Sequence, residues 1–163
     1  MSRRYRKQIK RILKNDEKGL KSAGHGTNGY VYNLNKSRVF KIFAKGDAGY
    51  LDFLKLMKKF KGKKHFPRVY DFYSTKEEHI VVLERLEEYS NKGCLWDHTD
   101  EAESAGYGDV DSGLWYGYFS KSFDKYLKVL EDNIVTDVEW DLHANNIMQR
   151  KDGTPVIIDP WCG

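Results

Sequence analysis

Cysteine is scarce in this chain: Cys94 and Cys162 are the only two among 163 residues. They form no disulfide framework and no metal-ligand spacing, which points to a reduced compartment. No apolar run approaches the roughly eighteen residues that cross a bilayer, and no signal peptide is visible. The expectation is a soluble cytoplasmic protein without a membrane partner. A strong excess of one charge is also lacking. The formal net charge of +4 is mild and does not by itself imply nucleic acid. Glutamate is missing from the whole stretch 47–64. What is present is a 40% apolar, 14% aromatic chain, rich enough to fold around a core and long enough for one domain.

The most informative stretch runs from Trp140 to Asp159, W-D-L-H-A-N-N-I-M-Q-R-K-D-G-T-P-V-I-I-D. Asp141 and Asn146 stand five residues apart. Asp152-Gly153 is a turn signal, and Val156-Ile157-Ile158 reads as a short buried strand that delivers Asp159. The hairpin so formed places Asn146 and Asp159 side by side, with Asp141 across from them. That arrangement suits phosphoryl transfer. One carboxylate orients an attacking hydroxyl and takes its proton, while an Asn oxygen and a second carboxylate hold Mg²⁺, a hard cation that prefers oxygen. A solvated hairpin with incidental acids is the plain alternative.

Residues 1–21 carry nine Lys and Arg, with Ile9, Ile12 and Leu13 at helical spacing. This predicts a basic helix packing one narrow apolar stripe. Basic and aromatic residues do not interleave along the chain after it, so nucleic acid is not the expected partner. Next comes Gly24-His-Gly26-Thr-Asn-Gly29-Tyr-Val31, a G-x-G-x-x-G-x-V pattern followed by strand-like alternation. Glycines there let the backbone approach phosphate oxygens. Lys41 lies in the apolar strand Val39–Phe43, where a charge needs an anionic partner or an outward path. A helix follows over 47–64, with Asp52 on its inner stripe as the best acid.

Two strands are expected over 66–73 and 79–84, with Glu84, Arg85 and Leu86 after them. Residues 90–117 read as a long acidic, irregular insertion, with one short helix at 99–105 and Trp96, Trp115 and Tyr116 anchoring its ends. A helix over 118–133 carries Phe119, Phe123, Tyr126, Leu127 and Leu130 on one face.

Three elements agree in order: the glycine loop, the strand lysine, and Asp141…Asn146…Asp159. Together they resemble the protein-kinase-like superfamily, from about Gly24 to Asp159. Asp-Leu-His, Asn-Ile-Met and the closing Asp-Pro are most similar to small phage-encoded protein kinases, such as the early kinase of T7-like phages. Asp-Leu-His-x-x-Asn also resembles aminoglycoside, choline and lipopolysaccharide kinases. The resemblance implies an α+β, protein-kinase-like fold: an antiparallel N-lobe sheet with one helix, plus a minimal, truncated helical C-lobe ending after the metal-binding Asp. It implies a basic N-terminal helix over 1–22 and a kinase-like domain over 23–163, with the N-lobe at 23–86 and the reduced C-lobe at 87–163. Implied cofactors are ATP and Mg²⁺. Asp141 and Lys41 would be catalytic. Gly24, Gly26, Gly29, Val31, Lys41, Glu84, Leu86 and Met148 would bind nucleotide, with Glu84-Arg85-Leu86 as the hinge. Asn146 and Asp159 would hold the metal.

This sequence departs from the pattern in three places. The helix Glu that pairs with the strand lysine is absent, leaving Asp52. Glu139-Trp140 replaces the His-Arg before the catalytic Asp. Pro160 to Gly163 supply no activation segment. The leading expectation is an ATP-dependent Ser/Thr kinase that acts on host proteins or on itself, in the host cytoplasm if phage-encoded. The alternatives are a pseudokinase that binds and inhibits a host protein, and a small-molecule kinase of the aminoglycoside or choline type. The oligomeric state is left open.

Overall fold

The computed structural model describes residues 2–16, 24–26, 29–60, 64–104, 112–134 and 138–162. The chain divides into two compact units: Met1–Asp47 with Arg68–Arg85, and Ala48–Pro67 with Leu86–Gly163. The architecture is α+β with antiparallel sheets. Residues 48–67 fall in the second of these units. Among the described residues no helix is long and apolar enough to cross a membrane.

The first unit opens with α1 (Arg3–Lys14), whose N-cap Ser2 accepts the Tyr5 N–H at 3.4 Å. Arg11 and Lys14 in the last turn suit the negative end of the helix. Five strands follow: β1 (Gly24–Gly26), β2 (Gly29–Asn35), β3 (Arg38–Ala44), β4 (Val69–Ser74) and β5 (Glu78–Glu84). They form one antiparallel sheet in the order β1-β2-β3-β5-β4. Asn35 turns the chain between β2 and β3, its Oδ1 accepting the Ser37 N–H at 2.9 Å. Alternation sends Tyr32, Leu34, Phe40, Ile42, Ile80 and Val82 to one face, where they form a core with Ile9. Burying Ile9 is worth about 1.5–3 kcal/mol. The basic helix therefore packs through its apolar stripe onto the sheet, with Tyr5, Ile12 and Leu13 at the margin.

The second unit begins with α2 (Ala48–Lys59), which buries Tyr50, Phe53, Leu54, Leu56 and Met57. Residues 61–63 of the helix expected to reach 64 lie outside the described residues. Three short strands pair as β6-β8-β9: β6 (Glu87–Glu88), β8 (Ile147–Gln149) and β9 (Pro155–Ile157). Two more, β7 (Glu139–Trp140) and β10 (Trp161–Cys162), pair with each other. Phe53 of α2 meets Trp161 edge-on at 6.2 Å.

Two helices differ from expectation. The first, α3 (Lys92–Ser104), starts seven residues before the expected 99–105 helix. Its early turns are fixed by buried Leu95, whose carbonyl accepts the Thr99 hydroxyl at 2.9 Å. The second, α4 (Lys121–Glu131), is shorter than 118–133. Gly117 takes a left-handed turn at φ 76° and Ser120 caps the helix, accepting the Phe123 N–H at 3.3 Å. Tyr118 and Phe119 thus pack from the turn, Phe119 reaching Phe123 at 4.4 Å. Trp115 anchors the insertion as expected, fully buried in the 3₁₀ turn Ser112–Trp115, whereas Trp96 and Tyr116 are exposed. The acids Asp109 and Asp111 lie outside the described residues.

Candidate active site

In the second unit the acids come together through individual hydrogen bonds. Trp140 and Trp161 are cross-strand partners in the β7–β10 pair. One residue on, the Asp141 N–H donates to the Pro160 carbonyl at 2.8 Å. The chain then turns through the 3₁₀ segment Ala144–Asn146. The Asn146 amide nitrogen donates to the Asp141 carbonyl at 2.5 Å and to Asp141 Oδ2 at 3.1 Å. The Ile158 N–H donates to the Asn146 carbonyl at 2.9 Å. Asp159 therefore sits between two residues whose backbones are tied to Asn146 and to Asp141. The three sequence-predicted residues are brought to one loop cluster.

His143 was not singled out from the sequence, yet it lies beside the other oxygen of Asp141, with Nε2 3.4 Å from Oδ1. His143 Nδ1 accepts the Asn145 N–H at 3.1 Å, so the proton of the neutral ring sits on Nε2. With Nε2 protonated, its 3.3 Å approach to Asn146 Nδ2 is proximity between donors rather than a hydrogen bond. Trp96 of α3 stacks on the His143 ring at 6.2 Å and 16°. The Trp115 indole N–H donates to the Leu142 carbonyl at 2.6 Å, fixing the backbone between Asp141 and His143. The signal for His143 was its spacing two residues after Asp141; nothing in the sequence linked it to Trp96.

The Asp141 side chain is 39% exposed, so it is oriented by its neighbours and open to solvent. Negative charge concentrates here. The Cys162 thiol is pushed up by burial first, then by the carboxylates of Asp141, Glu139 and Asp159. Among the described residues no group of three or more His, Cys, Asp and Glu is arranged for a metal ion. The donors at hand are two carboxylates and an amide oxygen. With the Asn146 nitrogen engaged on Asp141, its oxygen diverges from that bond. This set fits a hard divalent cation.

Met148 is half-buried on β8, paired with Val156 and Glu88. In the first unit, Val31 of β2 stands opposite Lys41 of β3, and Val81 of β5 opposes Lys41 from the other side. Directly opposed residues share a face, and this face is the reverse of the one α1 covers. Gly24, Gly26 and Gly29 form the β1–β2 hairpin, with Gly24 opposite Val31 and Gly26 opposite Gly29. The tip, Thr27 and Asn28, lies outside the described residues. A Cβ on Gly29 would stand 2.4 Å from the Ile42 carbonyl oxygen, so close strand approach alone requires glycine there.

At the expected hinge, the Glu84 and Arg85 N–H groups donate to the Arg68 and Ser37 carbonyls, each at 3.0 Å. Glu84 Oε1 also accepts the Arg68 N–H at 3.0 Å. Leu86 begins the second unit, so the division falls within the expected hinge. Asp52, the expected substitute for the missing Glu, is held by Lys55 of its own helix at 2.5 Å.

No protein-family model matches the chain, and no curated protein matches it. A solved structure does: the crystal structure of Rad53 1-466 in complex with AMP-PNP, at TM-score 0.52 and 19% identity. The fold is protein-kinase-like. The likeness covers 85% of this chain and 36% of the Rad53 chain, so this chain spans about a third of that structure. At this identity the likeness shows the fold alone.

Proposed function

We propose that the chain binds ATP and transfers its γ-phosphoryl group to Ser or Thr of a protein, a host protein or itself in the phage-kinase reading. One observation carries the proposal: Asp141 hydrogen-bonded to Asn146, with Asp159 tethered between them through Ile158 and Pro160. AMP-PNP in the similar Rad53 structure supports an adenine nucleotide as the ligand class.

In this reading Asn146 and Asp159 hold Mg²⁺, which when bound neutralises charge on the phosphate oxygens. Asp141 accepts the proton of the attacking hydroxyl as its oxygen bonds to the γ-phosphorus and ADP leaves. Asn146 donates to one carboxylate oxygen of Asp141 and His143 lies beside the other, which orients the carboxylate without closing it to substrate. Lys41 binds the α- and β-phosphates, and Gly24, Gly26 and Gly29 cover them. With the N–H groups of Glu84 and Arg85 engaged, Leu86 provides the hinge donor. Incubation with γ-labelled ATP, Mg²⁺ and a cell lysate tests the proposal: wild type should label protein and Asp141→Ala should not. Equal labelling by both would remove Asp141 from the mechanism.

One observation favours a second reading, a kinase-type scaffold that binds a host protein without transferring phosphate. The helix that should supply an acid to the strand lysine has no Glu, and its Asp52 is engaged by Lys55. A pulldown in which Asp141→Ala keeps its partner and its biological effect would support this reading over the enzyme.

A further inference from the structure

Among the described helices, α1 is the most densely charged. Arg3–Lys14 contains no acid, and its seven cations are all exposed. Arg3, Lys7, Lys10 and Lys14 follow one another at three- and four-residue steps, so they form a row with neighbours about 5–6 Å apart. No ion pair among the described residues involves an α1 cation. At the N-terminal end of the helix, Asp71 accepts the Ser2 backbone N–H at 2.7 Å.

Basic and aromatic residues do not alternate along the sequence, but the fold interleaves them. The Arg38 guanidinium lies over the Tyr70 ring at 4.3 Å and over the Tyr5 ring at 5.4 Å, and it donates to the Tyr5 hydroxyl. Arg6 lies over Tyr73 at 5.5 Å. Tyr70 belongs to the edge strand β4 and is the extra residue of a bulge, since Val69 pairs with Leu83 and Asp71 with Val82. A bulge re-aims the side chain it carries. Tyr70 remains 41% exposed with Arg38 against its ring.

We infer that α1, with Arg38 and Tyr70, forms a docking surface for single-stranded nucleic acid. The cation row follows the phosphates and Tyr70 stacks an unpaired base. The apolar stripe of α1 is buried against the sheet, so no apolar face is left to enter a lipid surface. A duplex offers phosphates but no unstacked base for Tyr70. An acidic peptide offers charge but no ring to stack. The surface lies wholly within the first unit and is independent of the phosphoryl-transfer reading.

The test is fluorescence anisotropy of the full chain with labelled twelve-nucleotide oligo(U) and oligo(dT), beside a duplex of the same length, anionic phosphatidylserine vesicles and poly-glutamate. Both single strands should bind, more tightly than the other three probes. Affinity should fall with salt at a log–log slope of about −3, for four or five neutralised phosphates. Tyr70→Ala should weaken single-strand binding about tenfold and leave duplex binding unchanged. Lys7→Glu with Arg11→Glu should weaken it about a hundredfold. Both positions are exposed, and an unchanged melting curve establishes that this variant is folded. Lys10→Ala, a milder change, should reduce the salt slope by roughly one contact. Absence of single-strand binding at low salt would overturn the inference. So would equal affinity for duplex, vesicles or poly-glutamate, or an unchanged affinity in the folded charge-reversal variant.

Discussion

The sheet of the first unit and the acid-bearing segment of the second are stabilised in different ways. In the sheet, β2, β3 and β5 each run for seven residues. In β2 the register is fixed by an apolar face that a one-residue slip would turn outward, and β3 and β5 pair along seven residues against each other. Between Glu139 and Cys162 the strands are two or three residues long. There, single bonds such as Asn146 to Asp141 and Ile158 to Asn146 set the geometry. Side chains in the first region chiefly stabilise, while in the proposed function those in the second chiefly direct chemistry. The same truncation to alanine should therefore act on different observables in the two places.

The largest separation is expected for Asp141→Ala. Loss of the base should lower phosphoryl transfer about 10²–10⁴-fold, with the melting temperature shifted by no more than about 2 °C, as befits a half-exposed side chain. Labelled-ATP assay and calorimetry on one preparation read both. A large fall in stability would show that the loop, like the sheet, depends on this side chain for folding.

Phe40→Ala inverts the pattern. Phe40 is fully buried and stacks on Tyr32 at 5.0 Å. Its removal should cost about 3–5 kcal/mol, a fall in melting temperature of roughly 6–20 °C. Below that melting point, the activity per folded molecule should stay near wild type. Gly29→Ala sharpens the contrast, because it places a Cβ against the Ile42 carbonyl. It should cost about 1–3 kcal/mol in protein without nucleotide. A variant as stable as wild type would mean that the strands yield, and that Gly29 is needed for phosphate alone.

The smallest effect concerns His65 in the second unit. Its Nδ1 lies 2.7 Å from the Pro155 carbonyl and its Nε2 2.5 Å from the Ser122 hydroxyl. Burial lowers its pKa; the Pro155 carbonyl opposes this, and Lys64 and Arg150 add to it. The neutral ring is therefore favoured in the folded state. The stabilisation is complete above the unfolded value near 6.5, and it is lost progressively as pH falls below that value toward the lowered folded one. His79 in the sheet is lowered too, by burial and then by Lys45. Melting curves from pH 7.5 to 5 should thus fall in wild type and fall less in His65→Gln. Identical slopes would assign the dependence elsewhere.

Legibility followed the same division. Alternation revealed β2, whereas β3 and β5 showed as apolar runs bounded by turn signals, β5 being buried at every residue from His79 to Leu83. The apolar face of α4 was visible, but its start was not, since Tyr118 and Phe119 pack against the core from a turn set by Gly117 and Ser120. The early turns of α3 were hidden among glycine and acids, where one buried Leu95 carries the packing. At the site, Asp141 and Asn146 were legible by spacing. His143 stacks with Trp96, forty-seven residues upstream, and only the fold brings such a pair together. The Arg38–Tyr70–Tyr5 stack was invisible for the same reason.

The central claim is that the Asp141, Asn146 and Asp159 cluster belongs to a metal–nucleotide site. Thermal shift with ATP, with and without Mg²⁺, tests it most directly. At a hundred times the dissociation constant, ligand linkage contributes about 2.7 kcal/mol, a rise on the order of 5–11 °C for a domain of this size. Without Mg²⁺ most of the rise should vanish, because the triphosphate then meets the carboxylates unscreened. Asp159→Ala should lose the Mg²⁺-dependent part and keep a smaller metal-free shift. A folded wild-type protein that shows no shift at millimolar ATP and Mg²⁺, or an Asp159→Ala curve identical to wild type, would contradict the account.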